Sequence, residues 1–245
     1  MKYKVIITAG GTSEKIDNVR KITNSSSGKL GYTIANKLIQ LHEEQIEKIY
    51  YICSKTAFKP THDKIEIIEI IDTNDLEKAV RKLLTSNDIH FFIHSMAVSD
   101  YTVDYVTTAE SLALSINNNS NKSVIDLICY HNDNLTDSKI SSNQDNLIIK
   151  LKKTPKIISI IKDISPRIYL VGFKLLDNVS EENLINTAVK LKDKNKCDLV
   201  VANDLENIRN GNHKAFIIKT SNDYIIASGK EDIAKKLVVE MFKND

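Results

Sequence analysis

Short apolar runs alternate with amphipathic helical patterns along most of this chain, and that alternation restricts the fold more than any other feature. β-branched and aromatic residues dominate six runs, at residues 4–9, 49–53, 65–71, 89–96, 168–173 and 198–202. Several runs are apolar almost throughout, as strands covered on both faces must be. The pattern therefore predicts a parallel α/β sheet with right-handed crossovers.

Helical stripes lie between these runs, and the chain closes on a hairpin and a helix. The stripes repeat at helical spacing: Leu30, Ile34, Leu38 and Leu41; Leu76, Val80, Leu83 and Leu84; Leu184, Ile185, Ala188 and Leu191. Two final strands joined by "SND" precede the last helix. With 245 residues, 42% of them hydrophobic, we expect one domain over 1–245. Its expected fold is a Rossmann-like, three-layer α/β fold with a mostly parallel central sheet.

Residues 101–146 break this rhythm. The segment is polar and Asn-rich, and its later part holds only the apolar runs "LAL" and "VIDLIC". We expect mobile loops around one or two strands, an irregular β/loop insertion inside the domain. A lid over a site and a surface loop both remain open.

Composition excludes several classes of protein. The 34 Lys and Arg residues balance 32 Asp and Glu to a net charge of +2, so any anion site must be local and nucleic acid is not expected as a partner. No apolar run approaches the roughly 18 residues of a membrane span, and we expect a cytoplasmic protein. Cys53, Cys129 and Cys197 lack a C-x-x-C spacing and are predicted to be buried apolar side chains.

Two glycine-containing turns follow the first strand. Gly10 and Gly11 permit a tight turn close to a ligand, but "GGTSEKID" lacks the third glycine of the dinucleotide fingerprint. The second turn, "NSSSGKLG", opens a helix, where hydroxyls, free N–H groups and the helix dipole favour an anion. It is no Walker A loop, since Thr23 and Leu30 occupy the required Gly and Ser/Thr positions. Alternatively, Ser26 or Ser27 merely caps the helix.

The segment "ITAGGTSEKIDNVRKITNSSSGKLG" closely resembles the opening of phosphopantothenoylcysteine synthetase, a ligase of the coenzyme A pathway. Further matching blocks follow in the family's order across the chain: "MAVSDY" at 96–101, "KLKKTPKII" at 150–158, "LVGFKLL" at 170–176, "DLVVANDL" at 198–205 and "GKEDIAKKL" at 229–237. We expect no flavin-dependent decarboxylase domain before them. The resemblance is therefore to the stand-alone bacterial form.

The resemblance implies that the chain joins 4'-phosphopantothenate to L-cysteine through an acyl-cytidylate. It implies CTP as co-substrate, although some relatives accept ATP, and Mg2+ as cofactor, with no metal ligand assigned directly. It also implies a homodimer, with the flap and the dimer contact in the insertion around 101–146. Two anionic substrates would explain two adjacent turns.

By resemblance, Asn24 is a catalytic residue that donates a hydrogen bond to the acyl oxygen and favours the oxyanion. Its alternative role is an Asx-turn. Lys139 matches a lysine on a mobile loop that closes over the acyl nucleotide, or is a solvated lysine. The residues implied around the phosphate are Ser26, Ser27, Gly28 and Lys29.

The remaining residues are implied in nucleotide binding: Gly10, Gly11, His94, Ser95, Met96, Asp100, Pro155, Lys156, Ile157, Ile158, Phe173, Lys190 and Lys194. Asp100 either orients the nucleotide or its Mg2+, or caps a loop; His94 is equally well a satisfied core histidine. Pro155–Ile158 would begin a helix and recognise cytosine, with Phe173 stacking on the base or packing nearby.

Lys190 and Lys194 lie four apart and are predicted to face the strand at 198–202 as triphosphate ligands, or else to be solvated. Asn203 and Asp204 would shape the site. The rival functions are a nicotinamide-dependent oxidoreductase and a nucleotide-binding module without turnover.

Overall fold

The structure is a computed structural model that describes residues 2–119, 121–131, 134–135 and 139–243. Its strands, in chain order, are β1 (Tyr3–Ala9), β2 (Ser13–Lys15), β3 (Lys21–Thr23), β4 (Ile46–Ser54), β5 (Ile65–Ile70), β6 (Phe91–His94), β7 (Tyr101–Thr108), β8 (Leu147–Lys153), β9 (Tyr169–Leu176), β10 (Leu199–Asp204), β11 (Lys214–Ile218) and β12 (Tyr224–Ser228). Its helices are α1 (Lys29–His42), α2 (Thr73–Ser86), α3 (Ala109–Asn118), α4 (Val124–Cys129), α5 (Ile157–Ile164), α6 (Glu181–Asn195), α7 (Leu205–Arg209) and α8 (Gly229–Met241), with a 3₁₀ turn at Glu43–Gln45.

Contacts divide the chain into two compact units. The first, here the sheet unit, comprises Met1–Thr12, Ser25–Val98 and Lys156–Asp245. The second, here the hairpin unit, comprises Ser13–Asn24 and Ser99–Pro155. That residues 1–245 form a single domain stays a prediction.

The sheet unit is built on eight strands in the order β12-β11-β10-β9-β6-β1-β4-β5. The six strands from β10 to β5 run parallel, whereas β11 and β12 are antiparallel. From β1 the chain proceeds outward to β4 and β5, then returns to β6 on the other side of β1. The topological switch point therefore lies between β1 and β6, where open α/β sheets bind ligands at the carboxyl ends of their strands.

The sheet is buried on both faces because its strands alternate apolar residues between two clusters. In β1, Val5 and Ile7 join the cluster under α1 and α8, while Ile6 joins the cluster under α2, α5 and α6. All three residues have no exposed surface. This two-sided burial explains why the strands read as continuous apolar runs. The predicted α/β fold with its mostly parallel sheet is confirmed.

The hairpin unit holds two antiparallel pairs, β2 with β3 and β7 with β8. The register of β7 shifts between Val103 and Tyr105, so Asp104 lies in a bulge. Its carboxylate binds Lys150 at 2.8 Å and Lys152 at 3.0 Å on β8. These two ion pairs join the bulged strand to its partner.

Three local predictions were wrong. The runs "LAL" and "VIDLIC" lie in helices α3 and α4 rather than in loops and strands; Thr108 caps α3 by accepting from Ser111 N at 3.1 Å. Helix α5 begins at Ile157 after an N-cap at Lys156, so Pro155 precedes the helix. Cys129 is exposed at the end of α4, although Cys53 and Cys197 are buried as expected.

In the part of the chain that the structure describes, every helix is too short or too polar to span a bilayer.

Candidate nucleotide and phosphate site

The first turn leaves the carboxyl end of β1 at Gly10, beside the switch point. Gly10 has φ +86°, and a Cβ here would lie 2.9 Å from Ala57 Cβ and overlap Ser54 Oγ. Only glycine fits both the left-handed backbone and the space. The loop after β4 thus fixes how closely the first turn is packed.

The second turn lies directly against the first. Gly28, the N-cap of α1, has φ +69°, and a Cβ on it would lie 2.9 Å from Gly10 N and 3.0 Å from Ala57 Cβ. At Gly31 in the next turn of the helix, a Cβ would lie 2.7 Å from Ala9 Cβ and 2.8 Å from Ser95 Oγ. Glycines therefore bring the start of α1 against the ends of β1 and β6.

The serines of the second turn make weak local bonds at the start of the helix. Ser26 Oγ accepts from Gly28 N and Ser27 Oγ accepts from Lys29 N, each at 3.4 Å. The bond from Lys29 N, the first helical amide, agrees with the capping alternative for Ser27, while the N-cap residue itself is Gly28 and has no side chain to contribute. Phosphate binding by this turn stays a prediction. The end of α1 keeps N–H groups and a dipole that suit an anion.

The loop after β4 holds the second turn in place. Phe58 N donates to Ser27 O at 3.0 Å, and the buried Tyr51 hydroxyl donates to Phe58 O at 3.0 Å. The Phe58 ring is half-exposed, and Lys29 Nζ lies 5.9 Å from its centroid. A rigid strand therefore supports the turn through Phe58, and the amine of Lys29 lies beside it.

Strand β6 meets β1 across the switch point. Ser95 Oγ donates to Thr8 O at 2.6 Å, Ala97 N donates to Gly10 O at 2.9 Å, and Thr12 N donates to Ala97 O at 3.2 Å. The ladder thus continues past both strands. It fixes Ser95 beside the first turn, while Met96 is buried in the core.

His94 is a buried core histidine. Its Nδ1 lies 2.9 Å from Thr8 Oγ1, and burial lowers its pKa to about 4. The ring is therefore neutral near pH 7 and engaged within the sheet. Any contact of this residue with a nucleotide would involve its backbone, as the sequence suggested.

The isoleucine side chains at the start of helix α5 pack in the core. Ile157 is 2% exposed, and Ile158 Cδ1 would lie 3.2 Å from a Cβ on Gly172 in β9. Both side chains are therefore core packing, while Lys156 is exposed. Phe173 is partly buried against the core. Base recognition by this group stays a prediction.

Lys190 and Lys194 are not brought to the two turns. Both are exposed, and Lys194 lies in the last turn of α6. Since α6 connects the parallel strands β9 and β10, its last turn lies at the amino end of β10, opposite the edge that carries Gly10. The sequence predicted that both lysines face β10, whereas both side chains are exposed. Their binding of the triphosphate stays a prediction.

Asn203 and Asp204 end β10 at the ligand edge. Asp204 organises the backbone there: Oδ2 accepts from Val179 N at 3.1 Å and Oδ1 from Glu206 N at 2.8 Å, which together with Asn207 N lowers the pKa of the carboxyl. Asn203 is 8% exposed, and its Oδ1 has no hydrogen-bond partner within the described residues. These two residues shape the edge of the sheet.

The hairpin unit carries the other predicted residues. Asn24 follows β3 and is partly exposed, whereas Lys139 and Asp100 are exposed. Asp100 O accepts from Thr154 N at 3.0 Å, so Asp100 lies next to the segment that leads to Pro155. The catalytic roles of Asn24 and Lys139 stay predictions.

Sequence reasoning missed several residues that organise these elements. Ser54, Ala57 and Phe58 support the turns from a loop with no recognisable motif. Asp17 and Arg20 were part of a family motif, yet nothing local indicated that they bind Ile140, more than 100 residues away. These contacts could have been predicted only from knowledge of which distant positions of the chain lie together in the fold.

The strand order and the two turns at the switch point place the chain among the doubly wound α/β proteins, which bind ligands at that point. More narrowly, the chain belongs to the family described as DNA/pantothenate metabolism flavoprotein C-terminal domain, whose model matches residues 1–111 and 105–244. The family recognised from the sequence motifs is thereby confirmed.

Solved structures and curated relatives agree with this assignment. A DNA/pantothenate metabolism flavoprotein from Streptococcus pneumoniae is 38% identical with a TM-score of 0.86, over 99% of this chain and 100% of that chain. The coenzyme A biosynthesis bifunctional protein CoaBC of Thermococcus kodakarensis is 32% identical over 96% of this chain and 46% of that protein. The C-terminal domain of a CoaBC protein shares the fold, with a TM-score of 0.69 at 22% identity over 99% of this chain and 97% of that chain. The chain spans about half the length of the curated relatives it matches.

The contact between the turns predicts a steric cost at Gly28. Gly28→Ala should lower the free energy of unfolding by about 2–4 kcal/mol, from left-handed backbone strain plus the clash with Gly10 and Ala57. Gly211→Ala is a matched control, because Gly211 has φ +79° but no atom within 4 Å of its Cβ position. It should lose only about 1 kcal/mol. Urea unfolding measures both; equal losses would contradict the close contact.

The buried His94 predicts an acid-sensitive stability. Its folded pKa of about 4 lies below the ordinary 6.5. Between those pH values the unfolded chain binds a proton that the folded chain does not, so stability falls as the pH falls through this window. His94→Asn should remove a difference on the order of 3 kcal/mol between pH 7 and pH 4. Urea unfolding as a function of pH measures it, and an unchanged slope would contradict the assignment.

Proposed function

We propose that this chain is a ligase of coenzyme A biosynthesis that joins 4'-phosphopantothenate to L-cysteine through an acyl-cytidylate. One observation carries the proposal: the phosphate-type turn at Gly28 is packed directly on the nucleotide-type turn at Gly10, at the switch point of a sheet of this family. Relatives named for coenzyme A biosynthesis support the pathway.

The reaction we propose has two steps. The carboxylate oxygen of 4'-phosphopantothenate attacks the α-phosphorus of CTP, forming an acyl-phosphate bond as pyrophosphate leaves. The cysteine amine then attacks the acyl carbon, loses a proton, and forms the amide as CMP leaves. In both steps the protein would bind two anionic groups at once, the phosphate of 4'-phosphopantothenate and the phosphate of the nucleotide. Each turn would bind one of them.

The sheet unit would supply binding. Gly10 and Gly11 allow close approach of the nucleotide, with the backbone around Ser95 bordering the same edge. Ser26, Ser27, Gly28 and Lys29 would surround the phosphate of 4'-phosphopantothenate. Free N–H groups, two hydroxyls, an amine and the helix dipole all favour a dianion at that position.

Three residues named from the family resemblance would act on the reacting groups. Asn24 would donate to the acyl oxygen and stabilise the oxyanion that forms when the amine attacks. Lys139 would neutralise negative charge on the acyl nucleotide. Asp100 would orient the nucleotide.

Magnesium fits the proposed substrate better than a dedicated protein cage. Across the described ranges, no three His, Cys, Asp or Glu side chains are arranged for a metal ion. Mg2+ commonly uses one or two carboxylates together with nucleotide phosphates, and the exposed Asp100 suits that mode. When bound with the nucleotide, the ion would screen the charge of the triphosphate.

Nucleotide choice and assembly complete the proposal. We expect CTP rather than ATP, with Pro155, Lys156, Ile157, Ile158 and Phe173 near the base. We also expect a homodimer. Sedimentation of the purified chain measures the latter.

Mass spectrometry of the reaction mixture tests the function. The protein is mixed with 4'-phosphopantothenate, Mg2+ and either CTP or ATP, first without cysteine and then with it. An acyl-cytidylate that disappears on addition of cysteine, as CMP and 4'-phosphopantothenoylcysteine form, is the expected result. Nucleotide binding without intermediate or product would favour a binding module and overturn the ligase proposal.

Removal of the Asn24 amide should separate the two steps. Asn24→Ala should slow amide formation by about 100- to 1000-fold, because the oxyanion loses a donor, while acyl-nucleotide formation continues and the intermediate accumulates. Rapid quench followed by mass spectrometry measures each step. Asn186→Ala, on the exposed face of α6, is the control. Unchanged amide formation in Asn24→Ala would contradict the role.

A further inference from the structure

A buried carboxylate in the turn between β2 and β3 binds two separate parts of the hairpin unit. The Asp17 side chain is 1% exposed. Its Oδ1 accepts from Val19 N and Arg20 N, each at 2.7 Å, and Ile16 N donates to Arg20 O at 2.9 Å. These bonds close the turn. They use only one of the two carboxylate oxygens.

The second oxygen and the Arg20 guanidinium hold a distant peptide. Asp17 Oδ2 accepts from Ile140 N at 3.2 Å and from Arg20 Nε at 3.1 Å, while Arg20 Nη2 donates to Ile140 O. Both polar groups of the Ile140 residue are thus satisfied by this pair, and its side chain is 1% exposed. We call Asp17, Arg20 and the Ile140 backbone the peptide clip.

The clip does more than the local turn requires. A turn is stabilised by Oδ1 alone, as an Asx-turn shows. The bonds to Ile140 use charged groups, which make the stronger class of hydrogen bond, and they leave Lys139 exposed beside a fixed peptide. Donors from the Arg20, Val19 and Ile140 backbones, together with the Arg20 charge, keep the pKa of Asp17 below its usual value, so the carboxylate stays charged near neutral pH.

The clip also borders the other proposed catalytic residue. Strand β3 runs from Lys21 to Thr23, so only these three residues separate Arg20 from Asn24. The same turn therefore fixes one end of β3 and the peptide next to Lys139. Two residues far apart in sequence are held by one carboxylate–guanidinium pair.

We propose that Asp17 and Arg20 are positioning residues for Lys139: they fix the Ile140 peptide and thereby set where the lysine side chain begins. This inference rests on the proposed function for the role of Lys139, whereas the clip itself does not. Misplacement of a catalytic group by about 1 Å can cost on the order of 100-fold in rate. Loss of the clip should therefore reduce activity through Lys139.

The first test measures the clip without any activity. Asp17→Asn keeps one oxygen for the turn but replaces the acceptor of Ile140 N by an NH2 donor. The Ile140 amide should then exchange with solvent about tenfold faster or more, measured by NMR on the labelled protein. Asp104→Asn, which breaks an ion pair elsewhere in the same unit, is the control and should leave Ile140 unchanged. Equal protection of Ile140 in wild type and Asp17→Asn would overturn the clip.

The second test is a double-mutant cycle between Asp17→Asn and Lys139→Ala. In the half-reaction that Lys139→Ala slows, Asp17→Asn should reduce the rate about 100-fold in the wild-type background and by less than about threefold in the Lys139→Ala background. Losses that multiply in the double variant would overturn positioning and indicate a general structural effect.

A second substitution, at Arg20, tests the proposal if the Asp17→Asn variant folds poorly. Arg20→Lys keeps the carboxylate and the positive charge but loses the fork in which Nε binds Asp17 Oδ2 and Nη2 binds Ile140 O. It should show the same exchange and the same dependence on Lys139; normal exchange and normal rate would overturn the proposal. If the wild-type chain lacks ligase activity, the proposed function fails, while the exchange measurement still decides whether the clip exists.

Discussion

The close contact between Gly28 and Gly10 is the constraint on which the proposed site depends. The backbone of α1 begins where a side chain on either glycine would collide with the other turn or with the loop after β4. This contact places the start of the helix at the switch point, with a glycine rather than a side-chain-bearing residue at the N-cap. A helix end with such orphan N–H groups favours an anionic ligand or water. The same packing that stabilises the sheet unit therefore leaves an anion-binding end exposed.

Each unit is organised by a different kind of interaction. In the sheet unit, backbone geometry dominates: glycines, a continued ladder and a helix end supply N–H groups without titratable side chains. In the hairpin unit, charged side chains dominate, with Asp17 and Arg20 joining segments that are distant in sequence and Asp104 joining β7 to β8. The glycine turns tolerate little substitution, because a Cβ on Gly10 or Gly28 would collide with neighbouring atoms. Loss of Arg20 would leave the buried carboxylate of Asp17 without its charged partner, so this pair also tolerates little substitution.

The fold was largely predictable because its strands are buried on both faces. Runs such as Val5–Ile7 are apolar at every position, and helices between them show one apolar stripe, so local pattern and tertiary structure agree. Helices α3 and α4 were missed because they are short, lie within an Asn-rich segment and bury none of their residues, so their apolar runs gave no clear helical stripe. The start of helix α5 was predicted at Pro155, but the first helical residue is Ile157. The exact start of a helix depends on capping bonds, which the sequence shows poorly.

The candidate site was predictable only where motif and backbone coincide. Gly10 and Gly28 carry both a sequence signal and a positive φ. The contacts of Phe58 with Ser27 and of Asp17 with Ile140 arise from chain folding over long separations, which no local pattern encodes. Lys190 and Lys194 illustrate the opposite case, since correct helical spacing placed them on one helix but said nothing about which edge of the sheet they would occupy.

Backbone amide NMR of the labelled protein is the most direct test of the claim that the two turns are separate cradles. 4'-Phosphopantothenate should shift the amides of Gly28 and Lys29, CTP should shift those of Gly10 and Gly11, and each ligand should still bind when the other is saturating. Competition of the two ligands for one set of amides would contradict the account, because a single cradle would then serve both anions in turn.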